Sequence, residues 1–336
     1  MLTYDWSVSQ KPKLVFVFLG SKKIPKYARL NLALIRKTFP DIEMVLISDN
    51  IRNGNLVKGI SVYLVPRLNQ LWPEIHRTIS HDLSFRNGFW FSSIARFMAI
   101  KQWMSKGNEG PIIHLELDVL MSPGFPISLF ENITEDLAYT LASPSEGSGA
   151  VLFIKDFAAI SKLVLAAEDI FSKQPGATDM TILRNIYDDQ IMPIKILPSI
   201  PAGSTDPNDL FSEYIFDPSS WGMYLLGQDP RNHRGSLILN RSELHHFVQP
   251  GEFVIQYKSS ELFVENLFCS KQLVSLHVHS KDLRVFKSPR RTIKNRIRLI
   301  SDGEYSEIIP SLFVRLSWKK VIKEVAKFLC SKESHK

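Results

Sequence analysis

The sequence predicts an α/β fold with a mostly parallel central sheet, and three segments near its start support that prediction. Residues 14–19 form an unbroken apolar run, which is typical of a strand covered on both faces. Residues 27–38 have helical spacing, with Leu34 and Ile35 on one face. A second buried strand is predicted at 43–48, with apolar residues at 44–47. Strand, helix and strand joined by short loops are typical of a doubly wound sheet.

Later segments extend this pattern. We predict strands at 60–65, 111–121, 149–154 and 272–279, and helices at 89–103, 156–172 and 178–187. Residues 193–209 are rich in Pro, Gly, Ser and Asp and are predicted to form a long loop, of the kind that often binds ligands.

Composition excludes several classes of protein. The chain has 336 residues, 44% of them apolar and 22% charged, which is ordinary globular usage. No apolar run approaches the roughly eighteen residues of a membrane span, and residues 1–13 do not resemble a signal peptide. The two cysteines, Cys269 and Cys330, suit a reducing compartment, so we expect a cytoplasmic protein.

The absence of several motifs excludes further classes of enzyme. A single glycine, Gly20, follows the first predicted strand, so the glycine-rich turn of common dehydrogenases is absent. The sequence also lacks a Gly-x-Ser-x-Gly elbow, a His-Glu-x-x-His motif and a phosphate loop. The sequence therefore gives little support to a function as an acyl hydrolase, a zinc protease or a P-loop kinase.

The predicted strand 111–121 carries the strongest chemical signal. Side chains alternate along a strand, so Glu116 and Asp118 would share one face at its end. Two carboxylates there suit Mg²⁺ or Mn²⁺ with a diphosphate, because ligands bind at the carboxyl ends of such strands. The alternative is a strand whose polar end reaches solvent.

A second polar group lies near the end of the predicted strand 272–279. His277 and His279 would share the face opposite the core, and Lys281 follows them. Two imidazoles at this spacing can share a cation, and a lysine can bind phosphate as a point charge. The alternative is a pair of half-exposed histidines with hydrogen-bond partners.

Together these motifs resemble those of GT-A-fold glycosyltransferases of the bacterial surface-polysaccharide kind, which make lipopolysaccharide or capsule. The resemblance covers roughly residues 14–285 and implies a Rossmann-like fold. It implies that Asp118 is the principal metal ligand and that Glu116 stands at the first acidic position. Either His279 or His277 would complete the metal site, and the sequence does not decide between them.

The resemblance also implies residues that bind the donor. Gly20 would belong to the nucleotide-binding turn, and Arg96, on the predicted helix 89–103, would point at the donor. In the polar segment 216–233, Asp217, Trp221 and Gly222 would line the sugar pocket. The alternative for this segment is a turn-rich linker with a tryptophan in a small core.

Two carboxylates are candidates for the general base of an inverting reaction. Asp179, at the start of the predicted helix 178–187, is one, and Asp217 is the other. Asp179 has a second interpretation, as an acidic residue that stabilises a helix N-terminus through the helix dipole.

The charge is unevenly distributed. Residues 281–336 carry a balance of +9, whereas the rest of the chain carries −2. We expect a catalytic domain at 1–285 and a basic amphipathic helical extension at 286–336, with a helix over 312–329. A basic helix with aromatic residues can lie on an anionic membrane surface, which would hold the enzyme peripherally on the inner face of the membrane.

The sequence therefore predicts a transferase that moves a sugar from a nucleotide diphosphate sugar to a glycan or lipid-linked glycan, with Mn²⁺ or Mg²⁺. A second hypothesis is a non-catalytic module of the same fold that binds glycan or nucleotide. A third, a basic protein associated with nucleic acid, is supported by the tail alone. We expect no nucleic-acid partner, because a recognisable binding fold and interleaved aromatic residues are missing.

Overall fold

The computed structural model describes residues 11–20, 22–54, 57–81, 88–201, 209–227, 253–266 and 268–301. Its strands, in chain order, are β1 (Lys13–Phe18), β2 (Met44–Ser48), β3 (Ser61–Leu64), β4 (Ile112–Leu115), β5 (Val119–Met121), β6 (Leu137–Ser143), β7 (Glu146–Ile154), β8 (Ile194–Ile196), β9 (Tyr214–Ile215), β10 (Val254–Lys258), β11 (Glu261–Glu265), β12 (Ser270–Leu273) and β13 (Ser275–His277). Its helices are α1 (Lys26–Thr38), α2 (Leu68–Leu71), α3 (Pro73–Thr78), α4 (Phe89–Met104), α5 (Phe157–Lys173), α6 (Asp179–Asp188), α7 (Ser220–Leu226), α8 (Leu283–Lys287) and α9 (Pro289–Ser301).

Seven strands form the central sheet, in the order β3-β2-β1-β4-β7-β6-β8. The pairs β1–β2, β2–β3, β1–β4 and β6–β8 are parallel, whereas β7 runs antiparallel to both β4 and β6. The predicted α/β fold with a mostly parallel sheet is confirmed. The parallel arrangement brings the carboxyl ends of β1, β2 and β4 to one edge.

Both faces of this sheet are covered, which explains the unbroken apolar runs. In β1, Leu14 and Phe16 belong to a core cluster with Leu32 and Ile35 of α1. Val15, on the opposite face, belongs to a second cluster with residues of α4, α5 and α6. A strand buried on both faces has no position for a polar side chain to reach water.

Two smaller sheets complete the described structure. One has the order β10-β11-β12-β9, and the other pairs β13 with β5. A third core cluster joins them to α7, α8 and α9, with Trp221, Phe286 and Ile293 buried in it. The domain boundary predicted at 285–286 lies inside α8, between Val285 and Phe286. Both side chains pack into this core. The predicted helix at 312–329 lies outside the described residues.

Two predicted strands are interrupted. The segment 111–121 forms β4 and β5 with a turn between them, and the segment 272–279 is divided between β12 and β13. The predicted loop 193–209 contains the short strand β8, and its residues 202–208 lie outside the described part. Among the described residues, the helices are too short or too polar to cross a membrane.

Candidate functional site

A turn at the end of β4 presents the two acidic side chains. Val119 N–H donates to the Glu116 carbonyl at 3.0 Å, which closes the turn. Asn31 of α1 stabilises it, because its side-chain amide donates to the carbonyls of Leu117 at 3.1 Å and Val119 at 2.7 Å. Glu116 and Asp118 therefore come from a turn, and the prediction that they share the face of one continuous strand is wrong.

The pairing of β13 with β5 brings His277 to this turn. His277 is opposite Val119 in the antiparallel register, one residue from Asp118. Its Nε2 lies 3.4 Å from Glu116 Oε2 and 3.3 Å from Asp118 Oδ2. Ligand atoms of Glu116, Asp118 and His277 all lie within 4.8 Å of one another, which is a geometry that could hold a metal ion. His279 is outside this group, with its ring centroid 5.4 Å from that of His277.

Lys281 adds a positive charge at Asp118. Its Nζ donates to Asp118 Oδ2 at 2.7 Å and lies 5.7 Å from the ring centroid of Tyr27. Burial opposes ionisation of Asp118, but Lys281 and His277 outweigh it and hold its pKa well below the ordinary value. Burial alone would lower the pKa of His277, but Asp118 and Glu116 raise it to about 9. With no metal bound, this imidazole is positively charged at neutral pH.

Arg96 of α4 lies on the other side of Glu116. Its guanidinium donates to Glu116 Oε1 and to Asp179 Oδ2, and Ser93 Oγ donates to Asp179 Oδ1 at 3.1 Å. The guanidinium lies against β7, where a Cβ on Gly149 would be 2.8 Å from Arg96 Nη2. Arg96 is buried and bound to two carboxylates. In this structure Arg96 fixes the orientation of Glu116, and a contact of Arg96 with the donor stays a prediction.

Asp179 is also enclosed. It is the first residue of α6, which Thr178 caps by accepting the Thr181 N–H at 3.1 Å. Both Asp179 oxygens have partners, in Ser93 and Arg96. This arrangement makes Asp179 an anchor for Arg96, and its role as a general base stays a prediction.

Six charged groups thus alternate in sign across the site, in the order Asp179, Arg96, Glu116, His277, Asp118 and Lys281. With His277 protonated, the three positive and three negative groups balance. Pairing of this kind offsets part of the free energy that burying each charge costs. Glu116 is the most exposed carboxylate of the three, with 27% of its side chain accessible, so solvent reaches the site beside it.

Asp217 has a positioning role in this structure. It is 1% exposed, and its Oδ1 accepts N–H bonds from Ser219 at 2.8 Å and Trp221 at 3.0 Å. Its Oδ2 accepts N–H bonds from Gly222 and His277, each at 2.8 Å. Burial raises its pKa, against the opposing effect of these donors. The carboxylate thus holds α7 against β13, and its role as a general base stays a prediction.

Trp221 and Gly222 belong to the same packed contact. Trp221 is 1% exposed and its indole N–H donates to the Ser199 carbonyl at 2.8 Å. A Cβ at Gly222 would lie 1.8 Å from the carbonyl oxygen of His277, so only glycine allows this approach. Trp221 is packed in a core cluster, as in the alternative interpretation, and a sugar pocket at Asp217, Trp221 and Gly222 stays a prediction. Residues 228–233 of that segment lie outside the described structure.

Gly20 follows β1 at the carboxyl edge of the sheet. Its N–H donates to Asp49 Oδ2 at 3.0 Å, which ties the turn after β1 to the end of β2. Its φ of +107° favours glycine. Among the described residues, and apart from the chain neighbours of Gly20, no atom lies within 4 Å of the position that a Cβ would take.

Three residues that hold the site were missed by sequence reasoning: Asn31, Ser93 and Gly149. The glycines of Gly147-Ser-Gly149, inside an otherwise apolar strand, were an available signal, since glycine in a strand often marks a close approach. Asn31 and Ser93 lie on helices far along the chain from their partners, and no local pattern identifies them.

Comparison with known proteins gives similarities in structure alone. No family model matches the chain, and no curated protein sequence matches it. Among solved structures, it is similar to the galactosyltransferase LgtC in complex with donor and acceptor sugar analogs, at 13% identity and a TM-score of 0.38, covering 59% of this chain and 81% of that one. Mouse xyloside xylosyltransferase 1 in its apo form has 12% identity, a TM-score of 0.36 and coverage of 56% and 85%. The glycosyltransferase GlyE of Streptococcus pneumoniae TIGR4 has 16% identity, a TM-score of 0.34 and coverage of 56% and 45%. The functional interpretation below therefore rests on the residues of the site.

Proposed function

We propose that this chain is a metal-dependent glycosyltransferase of the GT-A kind, which moves a sugar from a nucleotide diphosphate sugar to a hydroxyl of a glycan. One observation supports this above all others. Glu116, Asp118 and His277 meet at the carboxyl edge of a mostly parallel sheet, with Lys281 beside them. That edge is where open α/β sheets bind ligands.

The donor set fits a divalent cation. Asp118, Glu116 and His277 would hold it, since their ligand atoms lie within 4.8 Å of one another. Carboxylate oxygens suit Mg²⁺ and Mn²⁺, and the imidazole nitrogen favours Mn²⁺ of the two. When bound there, the cation would neutralise charge on a leaving diphosphate.

Other residues of the site would bind the donor or position the metal ligands. Lys281 supplies a positive charge to the diphosphate, and the turn at Gly20 leaves space for the nucleotide at the end of β1. Arg96 and Asp179 orient Glu116 from within the core. Asp217 positions the backbone of His277, so all three act through the residues that meet the ligand.

We also propose an acceptor and a location. Residues 283–301 carry seven basic residues and no acidic one, and Arg290, Arg291, Lys294 and Arg298 of α9 are exposed. A basic surface attracts anionic lipid headgroups, with each basic residue contributing about 1 kcal/mol. Such a surface would place the enzyme beside a lipid-linked surface glycan on the inner face of the membrane. Binding to vesicles of phosphatidylglycerol, weakened at high salt, would test this.

Metal-dependent donor hydrolysis tests the main proposal. Wild-type protein should bind Mn²⁺ and be stabilised by a nucleoside diphosphate, by about 2.7 kcal/mol at a ligand concentration of 100 times the dissociation constant. Asp118→Asn should lose Mn²⁺ binding and hydrolysis of UDP- or GDP-sugars while it stays folded. Asp169→Asn, at an exposed carboxylate paired with Lys173, is the matched control and should behave as wild type. Full hydrolysis by Asp118→Asn would refute the proposal.

A non-catalytic binding module of the same fold is the second candidate. It is favoured by one observation: both carboxylates predicted as general bases are buried and hydrogen-bonded within the protein, Asp179 to Ser93 and Arg96 and Asp217 to four backbone N–H groups. The two candidates differ in turnover. A protein that binds Mn²⁺ and nucleoside diphosphate but leaves every donor sugar intact, with and without glycan acceptors, would be the binding module.

A further inference from the structure

One oxygen of Asp118 is shared by two positively charged side chains. Asp118 Oδ2 lies 2.7 Å from Lys281 Nζ and 3.3 Å from His277 Nε2. The pair is mostly enclosed, with 16% of the Lys281 side chain and 10% of the Asp118 side chain exposed. Solvent therefore screens this ion pair much less than a surface pair. A metal ion held by Asp118 Oδ2 would have to share this oxygen with the ammonium group.

The backbone directs Lys281 toward Asp118. Lys281 has φ of +54°, in the left-handed region that a non-glycine residue rarely adopts, and its N–H donates to the Val278 carbonyl at 2.8 Å. The Val278 N–H in turn donates to the Asp118 carbonyl at 2.8 Å, so the same turn is attached to the acidic residue. A tight turn thus fixes the backbone of Lys281 beside the site.

This placement has consequences for a metal and for a diphosphate. A divalent cation next to Asp118 would repel the ammonium, so metal binding would weaken the contact of Lys281 with the carboxylate. The oxygens of a diphosphate bound beside the metal would offer the ammonium another anionic partner. Each ligand would therefore ease the binding of the other, and such coupling is reciprocal.

We propose that Lys281 is an internal counterion of Asp118 that couples the binding of the metal to the binding of the diphosphate. In the absence of nucleotide, it competes with the metal for Asp118. With nucleotide present, it moves to the phosphate groups and the competition ends. The inference rests on the proposed function, because it assumes a metal at Glu116, Asp118 and His277.

The experiment measures Mn²⁺ affinity with MnCl₂ alone and then with UDP or GDP present, by calorimetry or electron paramagnetic resonance. Lys281→Met keeps a side chain of similar length and removes the charge. It should bind Mn²⁺ alone more tightly than wild type, by between about 5-fold and 150-fold, the usual range of coupling between sites. Its gain in Mn²⁺ affinity on adding nucleotide should be smaller than that of wild type by a similar factor.

Two further variants control for folding and charge. Lys281→Arg keeps the positive charge and should retain most of the coupling, and its melting temperature reports whether the turn tolerates substitution. Lys173→Met removes a lysine that is paired with Asp169 on the surface at 2.6 Å and should change neither affinity.

The outcomes separate the two proposals. If wild type binds Mn²⁺ and Lys281→Met binds it equally or more weakly, the counterion inference is overturned and the metal site stands. If neither protein binds Mn²⁺ under any condition, the metal site is overturned, and the inference with it.

Discussion

Replacing Asp217 with asparagine distinguishes a positioning carboxylate from a catalytic one. Each Asp217 oxygen accepts two backbone N–H groups, from Ser219 and Trp221 at Oδ1 and from Gly222 and His277 at Oδ2. Asparagine keeps one oxygen, so two of the four donors lose their acceptor whichever way the amide is turned. A buried donor without a partner costs about 1–3 kcal/mol, so we expect Asp217→Asn to lower the free energy of unfolding by about 2–6 kcal/mol.

That loss is large compared with a total stability of about 5–15 kcal/mol, so urea denaturation followed by circular dichroism will detect it. Asp169→Asn, at an exposed carboxylate, is the control and should unfold at the wild-type midpoint. If Asp217→Asn unfolds like wild type but loses all turnover, the positioning argument fails and Asp217 is a catalytic base after all.

Three other measurements test the site and its surroundings. His277→Ala should abolish Mn²⁺ binding in calorimetry, whereas His279→Ala should retain it; equal losses would mean that the site is not the one described. Gly222→Ala should lower the melting temperature, because its Cβ would lie 1.8 Å from the His277 carbonyl oxygen and overpacking costs about 1–3 kcal/mol; an unchanged melting temperature would contradict that contact. Burial, assisted by Arg96, lowers the pKa of His114 to about 3. Between pH 6.5 and pH 3, His114 is therefore protonated in the unfolded chain and neutral in the folded protein. The free energy of unfolding therefore has its full contribution from His114 above pH 6.5 and falls below that pH by about 1.4 kcal/mol per pH unit. Urea denaturation at pH 7 and at pH 5 should show a smaller fall in the free energy of unfolding for His114→Gln than for wild type.

The sequence predicted the elements whose side-chain pattern is local. The apolar runs of β1 and β2 follow from burial on both faces, and the helical spacing of α1 follows from one buried face. The position of Glu116 and Asp118 at a sheet edge was also predictable, because an apolar run that ends in carboxylates has reached the end of its buried part. These features depend on neighbours within a few residues.

Antiparallel pairs and short strands were harder to predict. β8 and β9 have three and two residues, too few for an alternation to be recognised. β6 is long and apolar enough to have been found, yet it was missed. The break between β4 and β5 was missed because alternation continues through the turn at Glu116–Asp118, although the backbone does not stay extended there.

By itself, the sequence determined the fold class and supplied the acidic pair, the two histidines and Lys281 as candidates. Only the tertiary structure decided how they are used. The register of β13 against β5 selects His277 over His279, and residues some 160 positions apart in the chain meet through it. Packing also placed Arg96 and Asp217 in the interior, where both form hydrogen bonds with partners inside the protein. A local pattern records which side chain is available, whereas long-range packing determines which atoms remain free to meet a ligand.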